Sequence, residues 1–226
     1  MYTHIMLVLA LLLADGADLE VSGDFMEAGR AYFQEGDLAG EARILSRYLE
    51  EALYSGNSIH ALDIIMQLER FDIQPGFVDY WYARFAWSCG LAEHSCEALD
   101  DVTGSPWLES RAAGTACQFR GDPESAVSLF ARSMEEAVTV RQKFYSALDL
   151  SFALVQSGRF HEAEQIASIL AGSFPGEGLP LAAMALSLHG QGRFGQAMMV
   201  LQTLYTGAEY SYIARDLARS LMRDFE

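Results

Sequence analysis

Apolar positions along the chain recur with helical rather than strand spacing. Phe25, Ala28, Gly29, Tyr32 and Phe33 fall at i, i+3, i+4, i+7 and i+8, which predicts a helix that Gly36-Asp37 interrupts, with Leu38 to Tyr54 as the next. Near the other end Tyr210, Ile213, Leu217, Leu221 and Phe225 form an apolar stripe, while Arg215, Asp216, Arg219, Arg223 and Asp224 occupy the rest of that helix. No segment alternates apolar and polar residues between hairpin turns, so the pattern predicts an all-α fold without a sheet.

Between these ends the pattern repeats. Glycines at 56, 90, 121, 158 and 192 are spaced by 34, 31, 37 and 34 residues, a mean of 34. Each follows one helix-like stretch and precedes another, which predicts that the glycine ends the first helix in a left-handed conformation. Five residues beyond each stands a small residue: Ala61, Ser95, Ala126, Ala163 and Ala197. Seven before each stands another small or apolar one: Leu49, Ala83, Gly114, Ser151 and Ala185. Small residues at both places let paired helices approach closely. Gly158 and Gly192 are each followed by Arg-Phe-x-x-Ala, and Gly121-Asp122-Pro123 puts proline in the first turn, where its missing N–H is harmless. Pro175 closes the fourth unit.

This arrangement resembles the tetratricopeptide repeat (TPR) family, whose 34-residue unit has small residues on its first helix, glycine near the turn, Ala-x3-large spacing on its second and a terminal proline. Ala126 to Phe130 and Ala197 to Leu201 show that spacing here. The resemblance implies a TPR-like α-solenoid of about five helix-turn-helix units, at about 42–75, 76–106, 107–143, 144–177 and 178–209. A helix precedes the array and an amphipathic helix over 209–226 caps the apolar face that the last unit leaves without a neighbour. The repeat domain as a whole is expected over 22–226.

The resemblance also implies a groove on the concave side, lined by fixed positions of each first helix. Carried over residue by residue, these are Phe77, Tyr80, Arg84 and Trp87 in the second unit and Arg111, Gln118 and Phe119 in the third. The fourth unit supplies Tyr145, Phe152 and Gln156, and the fifth His189. Aromatic and arginine side chains are enriched in binding hot spots, so the expected ligand is a protein or peptide. The alternative is that many of these aromatics fill contacts between units. The family's carboxylate clamp for chaperone tails needs lysine and asparagine where Arg111 and Thr115 stand here, so that role is not expected.

Composition narrows the partners. Thirty-one acidic residues against 15 basic ones give a formal net charge of −16 over 226 residues. Nucleic acid is therefore not an expected partner, because phosphate neutralisation needs clustered cations. Most of the charge sits before residue 114, at −13, with −3 after it. Arg84 and Arg111 would then be local cations within an acidic exterior.

Ile5 to Ala14 is an uncharged apolar run, too short to span a bilayer as a helix but matching the hydrophobic region of an export signal. Ala14 and Gly16 supply the small residues for a cut after Gly16, so residues 1–16 are expected to be a cleaved signal and the mature chain periplasmic or secreted. Only an uncleaved N-terminal segment would contact membrane. The alternative is a cytoplasmic adaptor in which residues 5–14 form a buried helix. Export would permit a disulfide, and Cys89 and Cys96 flank a turn that could bring them together; equally, all three cysteines could be small buried hydrophobes.

Enzymatic chemistry finds little support. Gly190, Gly192 and Gly195 spell a GxGxxG, but Gly192 falls on the repeat register and only 31 residues follow Gly195, too few for a dinucleotide fold. Cys89, His94 and Cys96 lack the paired spacings of a zinc site, and Gln165 stands where His161-Glu162 would need a second histidine. Adjacent acid pairs such as Glu50-Glu51, Asp100-Asp101 and Glu135-Glu136 point about 100° apart on a helix and cannot flank one bond. The expectation is a non-enzymatic scaffold or assembly factor without a cofactor or metal, exported to a bacterial-type envelope.

Overall fold

The computed structural model describes residues 31–54 except 33 and 36, then 58–69, 76–207 and 212–224. The apolar run 5–14, the cut site at Gly16, Phe25 to Gly29 and the first repeat glycine, Gly56, lie outside the described residues. Those described contain eleven α-helices and no strand. Five pairs succeed one another: α1 (Leu38–Tyr54) with α2 (Ser58–Leu68), α3 (Phe77–Ser88) with α4 (Ala92–Asp100), α5 (Pro106–Phe119) with α6 (Pro123–Glu136), α7 (Val140–Gln156) with α8 (Phe160–Ser173), and α9 (Leu179–Gly190) with α10 (Phe194–Thr206). A final helix, α11 (Tyr212–Asp224), covers the last pair.

One turn joins the helices of each of the last four pairs. Gly90, Gly121, Gly158 and Gly192 all have φ between 75° and 81°, where a side chain would be strained. At each, the next residue's N–H reaches back five residues: Leu91 to the Ala86 carbonyl, Asp122 to Cys117, Arg159 to Leu154 and Arg193 to Leu188, at 2.9–3.0 Å. The glycine N–H bonds the carbonyl three residues back. This is a Schellman closure, which satisfies the carbonyls that a helix end leaves over. Helix starts are capped more variably. Ser105 and Asp122 accept from the first turns of α5 and α6, each with proline in that turn, and Thr139 and Gln142 form a reciprocal capping box on α7.

Within each pair the residues at the two positions are buried. Ala61, Ser95, Ala126, Ala163 and Ala197 are fully enclosed, and so are Leu49, Ala83, Ser151 and Ala185 to within about 1%. At Gly114 a Cβ would come 2.8 Å from the Phe130 ring, so glycine is what lets α5 and α6 approach. In the second unit, serine replaces the alanine: the Ser95 hydroxyl donates to the Ala83 carbonyl at 2.7 Å, so the polar atom is paired rather than buried without a partner. The helical residues ahead of α1 join in as well. Tyr32 is buried beside Ile44, and its ring lies against Gly40.

The array curls until its beginning meets its end. Arg47 on α1 pairs with Glu177, 130 residues later in the α8–α9 turn (Nε–Oε2 3.0 Å), and donates through Nη2 to the Gly176 carbonyl at 2.9 Å. Arg141 on α7 holds the other Glu177 oxygen. Helix α11 packs on α1 as well as on α9 and α10. A single buried apolar cluster accordingly runs from Leu49 and Ala52 on α1 through Tyr80, Trp81, Trp107, Leu108, Phe144 and Leu148 to Leu179 and Ala183 on α9. Much of the inner side is thus a core.

Candidate binding cavity

Where α1, α3, α5 and α7 end, the core opens. Leu53, Trp87, Ser88, Gln118, Phe119 and Gln156 lie in the last turns of those four helices. With Arg84, Thr115 and Asp149 beneath them, they line a cavity of about 250 Å³. Trp87 and Phe119 stack face to face, centroids 4.1 Å apart and planes 8° from parallel. Arg84, Thr115 and Asp149 are nearly enclosed, at 8%, 4% and 3% exposure, so they form the floor. Leu53, Trp87, Ser88, Gln118 and Phe119 are half-buried and Gln156 is exposed, so they form the rim. The partial negative charge of helix C-termini gathers at such a place, and the Arg84 guanidinium offsets it.

Below the floor lies an aromatic cage around Arg111. This side chain is fully enclosed, its guanidinium carbon 4.9 Å from the Tyr80 ring centre, 5.0 Å from Tyr145, 5.6 Å from Trp81 and 5.7 Å from Trp107. Its Nε donates to Asp149 Oδ2 at 2.6 Å. Ring faces and a carboxylate together replace the water that the guanidinium has lost. Arg84 lies over the same Trp81 and Tyr80 rings, at 5.2 and 5.7 Å. Serine hydroxyls tie the cage together: Trp107 Nε1 donates to Ser146, which lies 2.8 Å from Ser133 Oγ, and Ser133 donates to the Trp107 carbonyl. The Thr115 hydroxyl, 3.3 Å from the Tyr80 hydroxyl, donates to the Arg111 carbonyl and links cage to floor.

The residues expected along one groove therefore separate. Arg84, Trp87, Gln118, Phe119 and Gln156 meet at the cavity. Tyr80, Arg111 and Tyr145 instead form the enclosed cage, and Phe152 is buried in the same core. Phe77 packs edge-on against Trp81 at the start of α3, and His189 packs edge-on against Phe194 at the α9–α10 turn. The departure from an open groove has a physical cause: the deeper aromatics of α3, α5 and α7 converge on Arg111, so they find protein partners. Leu53, Ser88, Thr115 and Asp149 were not among the expected residues. A lone acid in the apolar run Phe144 to Val155 is the one signal that marks Asp149.

The other candidate sites resolve into structure. Gly192 is a Schellman glycine needed for its positive φ, and Gly190 lies where a Cβ would strike the Phe160 ring at 2.3 Å, so one of the three GxGxxG glycines serves the turn and another the packing. Of the two readings of the cysteines, a Cys89–Cys96 disulfide or unpaired thiols, the structure has the second: Cys89 is free and exposed at the end of α3, and Cys96 is free and buried on α4. Cys117 is also free and half-buried, and burial, with Asp122 adding to it, pushes its thiol pKa up, away from thiolate reactivity. Among the described residues no three His, Cys, Asp or Glu side chains gather to hold a metal ion, and no helix is long and apolar enough to cross a membrane.

Repeated Schellman turns, small residues at most helix crossings and a capping helix make the described residues an all-α helical-repeat array with TPR-like features. Two solved structures are similar to it, both described as a putative kinesin light chain from Podosopora anserina with nearly identical TPR-like repeats. Each is 14% identical and covers 93% of this chain; they are themselves covered over 99% and 100% of their length, with TM-scores of 0.44 and 0.42. No family model and no curated protein matches the chain.

Proposed function

We propose that the chain is a non-enzymatic scaffold that takes a short segment of a partner protein at the cavity between the ends of α1, α3, α5 and α7. The observation that carries this reading is convergence: Arg84, Trp87, Gln118, Phe119 and Gln156 come from three successive first helices and line one cavity. At about 250 Å³ it falls below the roughly 300–1,000 Å³ of sites that enclose whole small ligands. That volume suits one side chain of a peptide whose backbone crosses the rim, where the amides of Gln118 and Gln156 can bond it. Trp87 and Phe119 offer the rigid aromatic area on which such contacts depend. Linear peptides selected for binding to the whole chain should lose at least tenfold in affinity on the Trp87→Ala variant; unchanged affinity would place binding elsewhere.

We further propose that the protein works in a bacterial-type cell envelope, in assembly or scaffolding. The support is the Ile5 to Ala14 run with Ala14 and Gly16 after it. N-terminal sequencing of the protein from its host should begin at Ala17, and an intact Met1 would contradict export.

A further inference from the structure

We infer that Glu177 is a positioning residue for this cavity, and that the grip on a peptide is coupled to the closure of the array. The inference rests on the cavity being a peptide site and adds what sets its width. The lining comes from the first helix of each of the first four units, with Leu53 on α1, Trp87 on α3, Phe119 on α5, and Asp149 and Gln156 on α7. In a helical array each unit packs chiefly on its neighbours, so small rotations add up along it and the spacing of the first and fourth units is its softest dimension. A contact that skips the intervening units holds that spacing directly. Glu177 makes such a contact, because Arg47 stands on α1 and Arg141 on α7. Each carboxylate oxygen takes one arginine, so the bridge fixes a direction as well as a distance.

The two sides of the bridge are held differently. On the α7 side the turn is fixed. The Glu177 N–H donates to the Phe174 carbonyl at 3.0 Å, and the Phe174 ring packs edge-on against Phe144 with centroids 4.7 Å apart. Arg141 lies over the Phe144 and Tyr145 rings, at 5.5 and 5.9 Å. On the α1 side, Arg47 reaches that turn through its bonds to Glu177 and to the Gly176 carbonyl. Leu53 follows Arg47 by six residues, about 9 Å along the helix, so α1 carries its part of the cavity wall on a short arm. With Arg47 released, α1 would keep its packing on α2 and α11, which line no part of the cavity, while losing the tie that sets its distance from α7. Leu53 and Gln156 would then draw apart. By reciprocity, a peptide held between the α1 and α7 walls favours the closed array as much as closure favours the peptide.

Arg47→Met tests this, since it cuts the α1 side alone and leaves Glu177 paired with Arg141. Linear peptides selected on the full chain and dependent on Trp87 should bind this variant about fivefold more weakly or worse, the low end of couplings between sites. Arg47 lies outside the cavity lining, so the loss cannot come from a deleted peptide contact there. The variant's radius of gyration should exceed that of the parent chain, and saturating peptide should restore the parent value, which lost stability alone would not do. In the unaltered chain the same peptide should slow amide exchange over residues 174–178, beside the opposite end of α7 from Gln156, so the test stands even where the variant fails to fold. Unchanged affinity on a folded Arg47→Met, or exchange in that turn indifferent to peptide, would overturn the coupling and leave the peptide site standing. If no selected peptide depends on Trp87, both fall.

Discussion

Arg111 and Arg84 lie on successive first helices, ten and six residues before the turn glycine, and share the Tyr80 and Trp81 rings, yet their surroundings diverge. Around Arg111 four aromatic rings, Asp149 and a serine network shut water out. Around Arg84 the same inner surface opens, with Trp87 and Phe119 stacked on each other and half-exposed. Residue type alone does not distinguish a structural cage from a binding surface in a helical array. What distinguishes them is whether the aromatics converge on a buried partner or stand at the helix ends.

Breaking the cage should have the largest effect. Asp149→Ala would leave Arg111 fully buried without its carboxylate, which should lower stability by roughly 3–5 kcal/mol in urea titration. A loss under about 1 kcal/mol would mean that the rings suffice and that the cage is less dependent on charge than described. Next comes the contact that joins the beginning of the array to its end. Glu177→Gln would leave the Arg47 charge, whose side chain is 4% exposed, without its carboxylate and weaken the hold on Arg141, which is 26% exposed. The expected loss is about 3 kcal/mol, the low end of the same range because Arg141 can reach water. Small-angle scattering should also show a larger radius of gyration if α1 no longer meets the α8–α9 turn. On the open side the effect should be smallest for stability. Trp87→Ala removes a half-exposed stack worth about 0.5–1.5 kcal/mol, while removing most peptide binding.

Sequence reasoning reached the locally determined parts of this molecule. A turn glycine with positive φ, and small residues five positions after it and seven before, are all consequences of one helix pair, so spacing alone reveals them. The return of α1 to the fourth and fifth units was not legible. It depends on Arg47, Arg141 and Glu177, which read as ordinary surface charges until the fold brings residues 130 apart into contact. Convergence of three helices divides the expected groove. Trp87, Phe119 and Gln156 fall in the last turn of their helices and stay accessible, while Tyr80, Arg111 and Tyr145 lie further from those ends, where α3, α5 and α7 pack on one another. Asp149 was legible only as an anomaly, an acid amid apolar residues whose partner, Arg111, lies 38 residues earlier.

The three tryptophans report on the two regions directly. Trp81 and Trp107 belong to the cage, at 0% and 3% exposure, and Trp87 to the cavity rim. A titration of the ¹⁵N-labelled protein with a selected peptide, followed at the three indole N–H signals, therefore tests the central claim. If the inner surface is divided as described, the Trp87 signal moves with saturation while those of Trp81 and Trp107 stay in place. Movement of the Trp81 and Trp107 signals with Trp87 unmoved would contradict that division.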